Sequence, residues 1–66
     1  MEVQVNRVWR EFPDGTTVAD LLKGVGIAEP GIAVALDGEV VRRGSWAEVV
    51  VPAGSTVEIL TAVQGG

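Results

Sequence analysis

Val3 and Val5 alternate with Glu2 and Gln4 at the head of the chain, the period-two pattern of a strand with one buried face. Asn6-Arg7 can turn, and Val8-Trp9-Arg10-Glu11-Phe12 then reads as a second strand. The two form an N-terminal hairpin, although Asn-Arg is weaker turn chemistry than Asn-Gly. Pro13-Asp14-Gly15 is a strong loop signal. The period then changes: Val18, Leu21, Leu22 and Val25 fall at helical spacing. Thr16 or Thr17 can cap that helix, and Asp20 lies three residues after Thr17 in a box-like position. Gly24 or Gly26 supplies the left-handed stop. A helix of about two turns cannot persist alone in water, so it must pack against a sheet.

Glu29-Pro30-Gly31 breaks the chain again, and Ile32-Ala33-Val34-Ala35-Leu36 is apolar on both faces, as a strand buried inside a sheet is. Asp37-Gly38 has the chemistry of a type I′ hairpin turn, and Glu39-Val40-Val41 returns from it. Residues 42–51 follow no clear period. Gly44-Ser45 reads as a loop, and Trp46 as an anchor against the core. Pro52-Ala53-Gly54 is a turn, and residues 56–63 form the last strand. Within it Val57, Ile59, Thr61 and Val63 share one face, with Glu58, Leu60 and Ala62 on the other. Val57 and Ile59 are expected to meet the helix and the core, leaving Leu60 and Ala62 exposed. An apolar patch rimmed by charge marks a partner surface; the alternative is that a neighbouring loop covers Leu60.

The order β-β-α-β-β-β implies an α+β fold, a mixed sheet with one short helix packed on one face. The expected organisation is one domain over residues 1–63 and a flexible tail over 64–66. A chain of 66 residues has room for one core, and buries only ~60% of its unfolded surface. Cysteine and histidine are both absent. That removes disulfides, thiolate chemistry, and metal sites built on thiolate or imidazole, so no metal site is assigned. Nucleophilic catalysis also lacks a base, since the one lysine, Lys23, sits on the short helix. Gly24-Val25-Gly26 ends a helix rather than beginning one and is no phosphate loop. The formal charge of −4 and a pI near 4.4 argue against nucleic acid and permit a partner with a basic docking surface. The aliphatic runs are too short to span a bilayer, and Met1 to Val5 does not read as a signal peptide. The cytoplasm is the default compartment.

The sequence closes on Ala62-Val63-Gln64-Gly65-Gly66. Two glycines lack Cβ atoms and can enter a channel too narrow for other residues. Chemistry would then sit on the carboxylate of Gly66. A frayed, small-residue-rich end accounts for the tail alone equally well. From Val63, Gln64-Gly65-Gly66 can extend roughly 10 Å, enough to place a carboxylate in a partner's cleft while the body docks outside.

With these residues in view, the chain resembles the sulfur carrier family of thiamine (thiazole) biosynthesis, within the ubiquitin-like β-grasp fold. The resemblance runs through Thr17-Val18, Leu21-Leu22, the hairpin from Ile32 to Val41, Arg43 with Trp46, and Val57-Glu58-Ile59-Leu60 leading to the diglycine. Asparagine is commoner in the family where Asp37 stands, and proline where Arg42 stands; both departures bear on local geometry. The resemblance implies a protein co-substrate, not an enzyme. An ATP-dependent, ubiquitin-activating-like enzyme would adenylate Gly66, a persulfide donor would convert it to a thiocarboxylate, and a thiazole synthase would take the sulfur. Gly65 and Gln64 would form the inserted tail, with Leu60, Ala62, Val63 and Glu58 docking the partner. No cofactor would be bound by this chain; ATP would be used by the activating partner.

Other readings stand beside it. The small subunit of molybdopterin synthase, and carriers for tRNA thiolation or amino-acid biosynthesis, share the tail chemistry. The molybdopterin relatives are usually longer and often carry proline before the tail, where this chain has Thr61-Ala62-Val63-Gln64. From a different class, Phe12 to Leu21 also resembles the opening of β-grasp binding modules in larger synthetases and GTPases. A protein modifier joined to lysines is a third.

Overall fold

The computed structural model describes residues 1–27 and 31–61. Strands β1 (Glu2–Val5) and β2 (Val8–Glu11) precede helix α1 (Val18–Gly24). Strands β3 (Ala33–Leu36) and β4 (Glu39–Val41), a 3-10 turn (Arg43–Ser45) and strand β5 (Thr56–Leu60) follow. The sheet runs β2-β1-β5-β3-β4. β5 is central, antiparallel to β3 and parallel to β1. The sheet is therefore mixed, and the expected α+β order is found.

Both hairpins turn as their sequences predict. Asn6 and Arg7 have φ of 49° and 71°, and Asp37 and Gly38 have 49° and 87°. Positive φ at both central residues is the type I′ signature, whose twist matches that of the flanking strands. The first turn joins Val5 to Val8 directly across the ladder, so Asn-Arg suffices where Asn-Gly would be usual.

One face of the sheet is dry. Val3 and Val5 of β1, Val34 of β3, and Val57 and Ile59 of β5 pack with Val18, Leu21 and Leu22 of α1 and with Val51 in a single core. The seven-residue helix is held at both ends. Thr17 is the N-cap, its Oγ1 accepting from the Asp20 N–H at 3.1 Å. The Val18 and Ala19 N–H groups donate to the carbonyls of Val49 and Trp46, both at 3.0 Å. The irregular stretch after β4 thus satisfies donors that a helix N-terminus leaves open. At the other end, Ile27 N–H bonds the Leu22 carbonyl and Gly26 N–H that of Lys23. This is a Schellman closure around Gly26 at φ 78°. Gly26 is therefore the stop, while Gly24 remains helical beside the Phe12 ring, which a Cβ there would meet at 3.3 Å.

Trp46 anchors as expected: it is half-buried against the core, its Nε1 donates to the Val41 carbonyl at 2.9 Å, and the Arg43 guanidinium lies 5.9 Å from its ring centroid. Three expectations need correction. β3 begins at Ala33 and buries one face only, through Val34, because α1 covers a single side; its alanines keep the open side small. β2 ends at Glu11, and Phe12 turns inward against the core instead. β5 ends at Leu60, where its partner β3 runs out at Ala33, and Thr61 lies outside the strand.

Arg7 occupies a left-handed position that costs a side-chain-bearing residue about 1–2 kcal/mol. Glycine avoids that cost but loses about 0.5–1 kcal/mol through its freer unfolded chain. Arg7→Gly is expected to stabilise the protein by about 0.5–1 kcal/mol, at roughly 4–8 °C in thermal midpoint per kcal/mol. A midpoint at or below that of the parent would show that Arg7 makes compensating contacts.

Candidate functional site

β5 carries the site because it lies at the centre of the sheet and leads toward the C-terminal residues. Alternation along it puts Val57 (0% exposed) and Ile59 (5%) into the core, with Glu58 and Leu60 (62%) outward. The inward assignments of Val57 and Ile59 and the outward assignment of Leu60 hold, and no described loop covers Leu60. Cross-strand partners share a face. Leu60 stands opposite Ala33, Glu58 opposite Ala35, and Ala35 opposite Val40, which is 76% exposed. The open face is thus an apolar strip of leucine, alanine and valine with one carboxylate set in it. Toward the other edge, Thr56 pairs with Gln4 and Gln4 with Trp9, which is 55% exposed.

Beside the end of β5, Asn6, Arg7, Glu58, Ile59 and Leu60 line a shallow open groove. Leu60 and Glu58 are therefore brought together on one surface. Ala62, Val63, Gln64, Gly65 and Gly66 lie outside the described residues.

Asn6 is the residue that the sequence did not single out. Its Oδ1 accepts from the Ile59 N–H at 2.7 Å, and its Nδ2 donates to the Ile59 carbonyl at 3.3 Å. The signal was present only as an asparagine in a turn; its long-range partner, 53 residues on, has no local signature. Val40 was likewise read as a return strand and not as part of an exposed strip.

Among the described residues, no three His, Cys, Asp or Glu side chains gather as metal ligands. No described helix is long and apolar enough to cross a membrane. The groove beside the end of β5 carries one carboxylate, Glu58, and one guanidinium, Arg7.

The model of the ThiS family matches residues 3–66. Among solved structures, the chain is similar to the thiamine biosynthesis protein (ThiS) from Geobacter metallireducens. Against its crystal structure the identity is 29%, with all of both chains covered and a TM-score of 0.86. Against a solution NMR structure of a thiamine biosynthesis protein from the same organism the identity is 31%, covering 100% of this chain and 88% of that one, with a TM-score of 0.73. No curated protein matches. The shared architecture is the β-grasp fold, a mixed sheet wrapped around one helix.

The two sides of β5 should respond oppositely to substitution. Leu60→Glu changes an exposed side chain and is expected to alter stability by no more than about 0.5 kcal/mol. Ile59→Ala empties part of the core and should cost about 2–5 kcal/mol, enough to unfold much of so small a domain. Thermal melts of both variants check this; unfolding by Leu60→Glu alone would reverse the face assignment.

Proposed function

The chain belongs to the ThiS family, whose members carry sulfur in thiamine biosynthesis, and we propose that its working group is the carboxylate of Gly66. It is a protein co-substrate and not an enzyme, and it works with an activating enzyme and a thiazole synthase. The observation that supports the Gly66 reading is the end of β5. There a core-facing Ile59 sits next to an exposed Leu60, and six residues lead on from Leu60 to Gly66.

A free carboxylate is a poor electrophile because its charge is delocalised over both oxygens. In the proposed sequence, a Gly66 carboxylate oxygen attacks the α-phosphorus of ATP in the activating enzyme, and pyrophosphate leaves. The resulting acyl adenylate has AMP as a good leaving group. The terminal sulfur of a protein persulfide attacks the carbonyl, expels AMP and forms an acyl disulfide. A second thiol cleaves that sulfur–sulfur bond, is itself oxidised to a disulfide, and leaves a thiocarboxylate on Gly66. The thiocarboxylate is a soft nucleophile on a protein handle, so sulfide is not released to solvent before the thiazole synthase takes it. Proton transfers fall to the partners, in keeping with a chain that has no histidine or cysteine.

In this scheme Leu60 and Glu58, with Ala62 and Val63 after them, meet the partner, while Gln64 and Gly65 thread its channel. The strip formed by Leu60, Ala33, Ala35 and Val40 supplies an apolar contact of the kind that binds partners. The acidic balance of the chain favours encounter with a basic surface.

Intact mass of the protein from its native host, under non-reducing and non-alkaline conditions, tests the scheme. The expected species is heavier by one sulfur-for-oxygen exchange, localised to Gly66. High-mass adducts joining Gly66 to lysine would favour the modifier reading instead. Removing Gly66 should leave the melt unchanged and abolish ATP–pyrophosphate exchange with the activating enzyme; exchange that survives the deletion would overturn the assignment.

A further inference from the structure

The parallel ladder between β1 and β5 is short. Gln4 N–H bonds the Ser55 carbonyl at 3.0 Å and Asn6 N–H bonds that of Val57 at 2.9 Å. In a continuing parallel strand, the next main-chain carbonyl of β1 would accept from Ile59. At φ 49°, Asn6 has already turned the main chain toward β2. Its side-chain amide takes the place of the missing peptide unit, accepting from the Ile59 N–H and donating to the Ile59 carbonyl. A carboxamide has the same donor and acceptor as a peptide group, so it extends the ladder by one rung where the backbone cannot. Beyond Val57, β3 holds one side of β5 at Glu58 and Leu60, which stand opposite Ala35 and Ala33. The Asn6 side chain holds the other.

We infer that Asn6 is a positioning residue for activation of Gly66, fixing the point and direction at which the C-terminal segment leaves the sheet. The inference rests on the Gly66 reading above. Six residues from Thr61 to Gly66 reach about 20 Å when extended into a channel. A swing of about 15° at Leu60 would therefore move the far end by about 5 Å, while misplacement by ~1 Å can already slow a reaction. A fixed exit raises the fraction of docked complexes whose tail enters the channel, which lowers the ordering cost of binding.

The fold supplies its own control. Asp37, also at φ 49° in a type I′ turn, accepts from the Thr56 N–H through Oδ1 at 2.9 Å. It clamps the same strand at the end away from the exit. Asn6→Gly and Asp37→Gly each remove one side-chain clamp and keep a residue suited to positive φ.

The test combines amide hydrogen exchange on the free proteins with steady-state adenylation by the activating enzyme. For Asn6→Gly, exchange at Ile59 is expected to rise about tenfold or more while Val57 stays protected, as in local opening. KM for the carrier is expected to rise about fivefold or more with kcat within about twofold, since a tail once inserted reacts normally. For Asp37→Gly, exchange should rise at Thr56 and KM should stay within about twofold. Unchanged Ile59 exchange in Asn6→Gly, unchanged KM, or an equal rise in KM in both variants would overturn the inference. The last outcome would mark a general loss of stability. Failure of the wild-type chain to be adenylated would instead overturn the Gly66 reading, and this inference with it.

Discussion

The whole architecture turns on the pairing of the first strand with the last. β1 and β5 are in parallel register at Gln4–Thr56 and Val5–Val57, some fifty residues apart in sequence, and a parallel pair cannot be closed by a tight turn. Everything between them is the crossover. The helix must lie on one face to make that connection, and the β3–β4 hairpin must add to the far side of β5. Because loop closure is costly before such contacts reward it, so short a parallel ladder needs reinforcement. Asn6 provides it on the β1 side, and Asp37 steadies the same strand from the β3 side. Asp37 bonds the start of β5 and Asn6 bonds its end, each through a side chain and each from a hairpin whose twist already brings it there.

The same constraint explains why a seven-residue helix is stable. It has no length with which to stabilise itself, so its donors are met from elsewhere. Val49 and Trp46 offer carbonyls to the first turn, and the Val51 N–H returns a bond to the Thr16 carbonyl at 2.9 Å. The segment between β4 and β5 is irregular because its backbone serves the helix and not the sheet. Val51 is 1% exposed for this reason: the bridge between Thr17 and Val50 delivers the next residue into the core.

Local signals made much of this legible in the sequence. Alternation at Val3 and Val5, helical spacing at Val18, Leu21 and Leu22, and paired turn residues at Asn6-Arg7 and Asp37-Gly38 each report on a few neighbouring residues. The faces of β5 were legible too, because period two assigns Ile59 and Leu60 oppositely wherever the strand lies. What could not be read was anything set by a distant partner. The apolar run from Ile32 to Leu36 looked buried on both sides because alanine is compatible with either environment; only the presence of one helix on one face decides that Ala33 is exposed. The last strand looked longer than it is, since its end is set by where β3 and Asn6 stop pairing. Asn6 itself read as turn chemistry alone. Ala62 to Gly66, where the reactive end was placed, fall outside the described residues, and their role rests on family membership and the direction of the chain.

A carrier of this kind places opposing demands on one strand. In the proposed scheme β5 is fixed strongly enough to define where its outgoing segment begins, while its outward face at Glu58 and Leu60 stays exposed. A second helix over the open face would stabilise the domain and cover the exposed strip of Leu60, Ala33, Ala35 and Val40. Clamping by side chains at the strand's ends avoids that conflict. The amide of Asn6 lies within the plane of the sheet, where a β1 peptide would be, and so adds hydrogen bonds without covering Leu60. Rigidity supplied at the edges of the ladder, and not by another layer, lets a protein with one small core fix the end of β5 at Ile59 and still leave an apolar surface exposed beside it at Leu60.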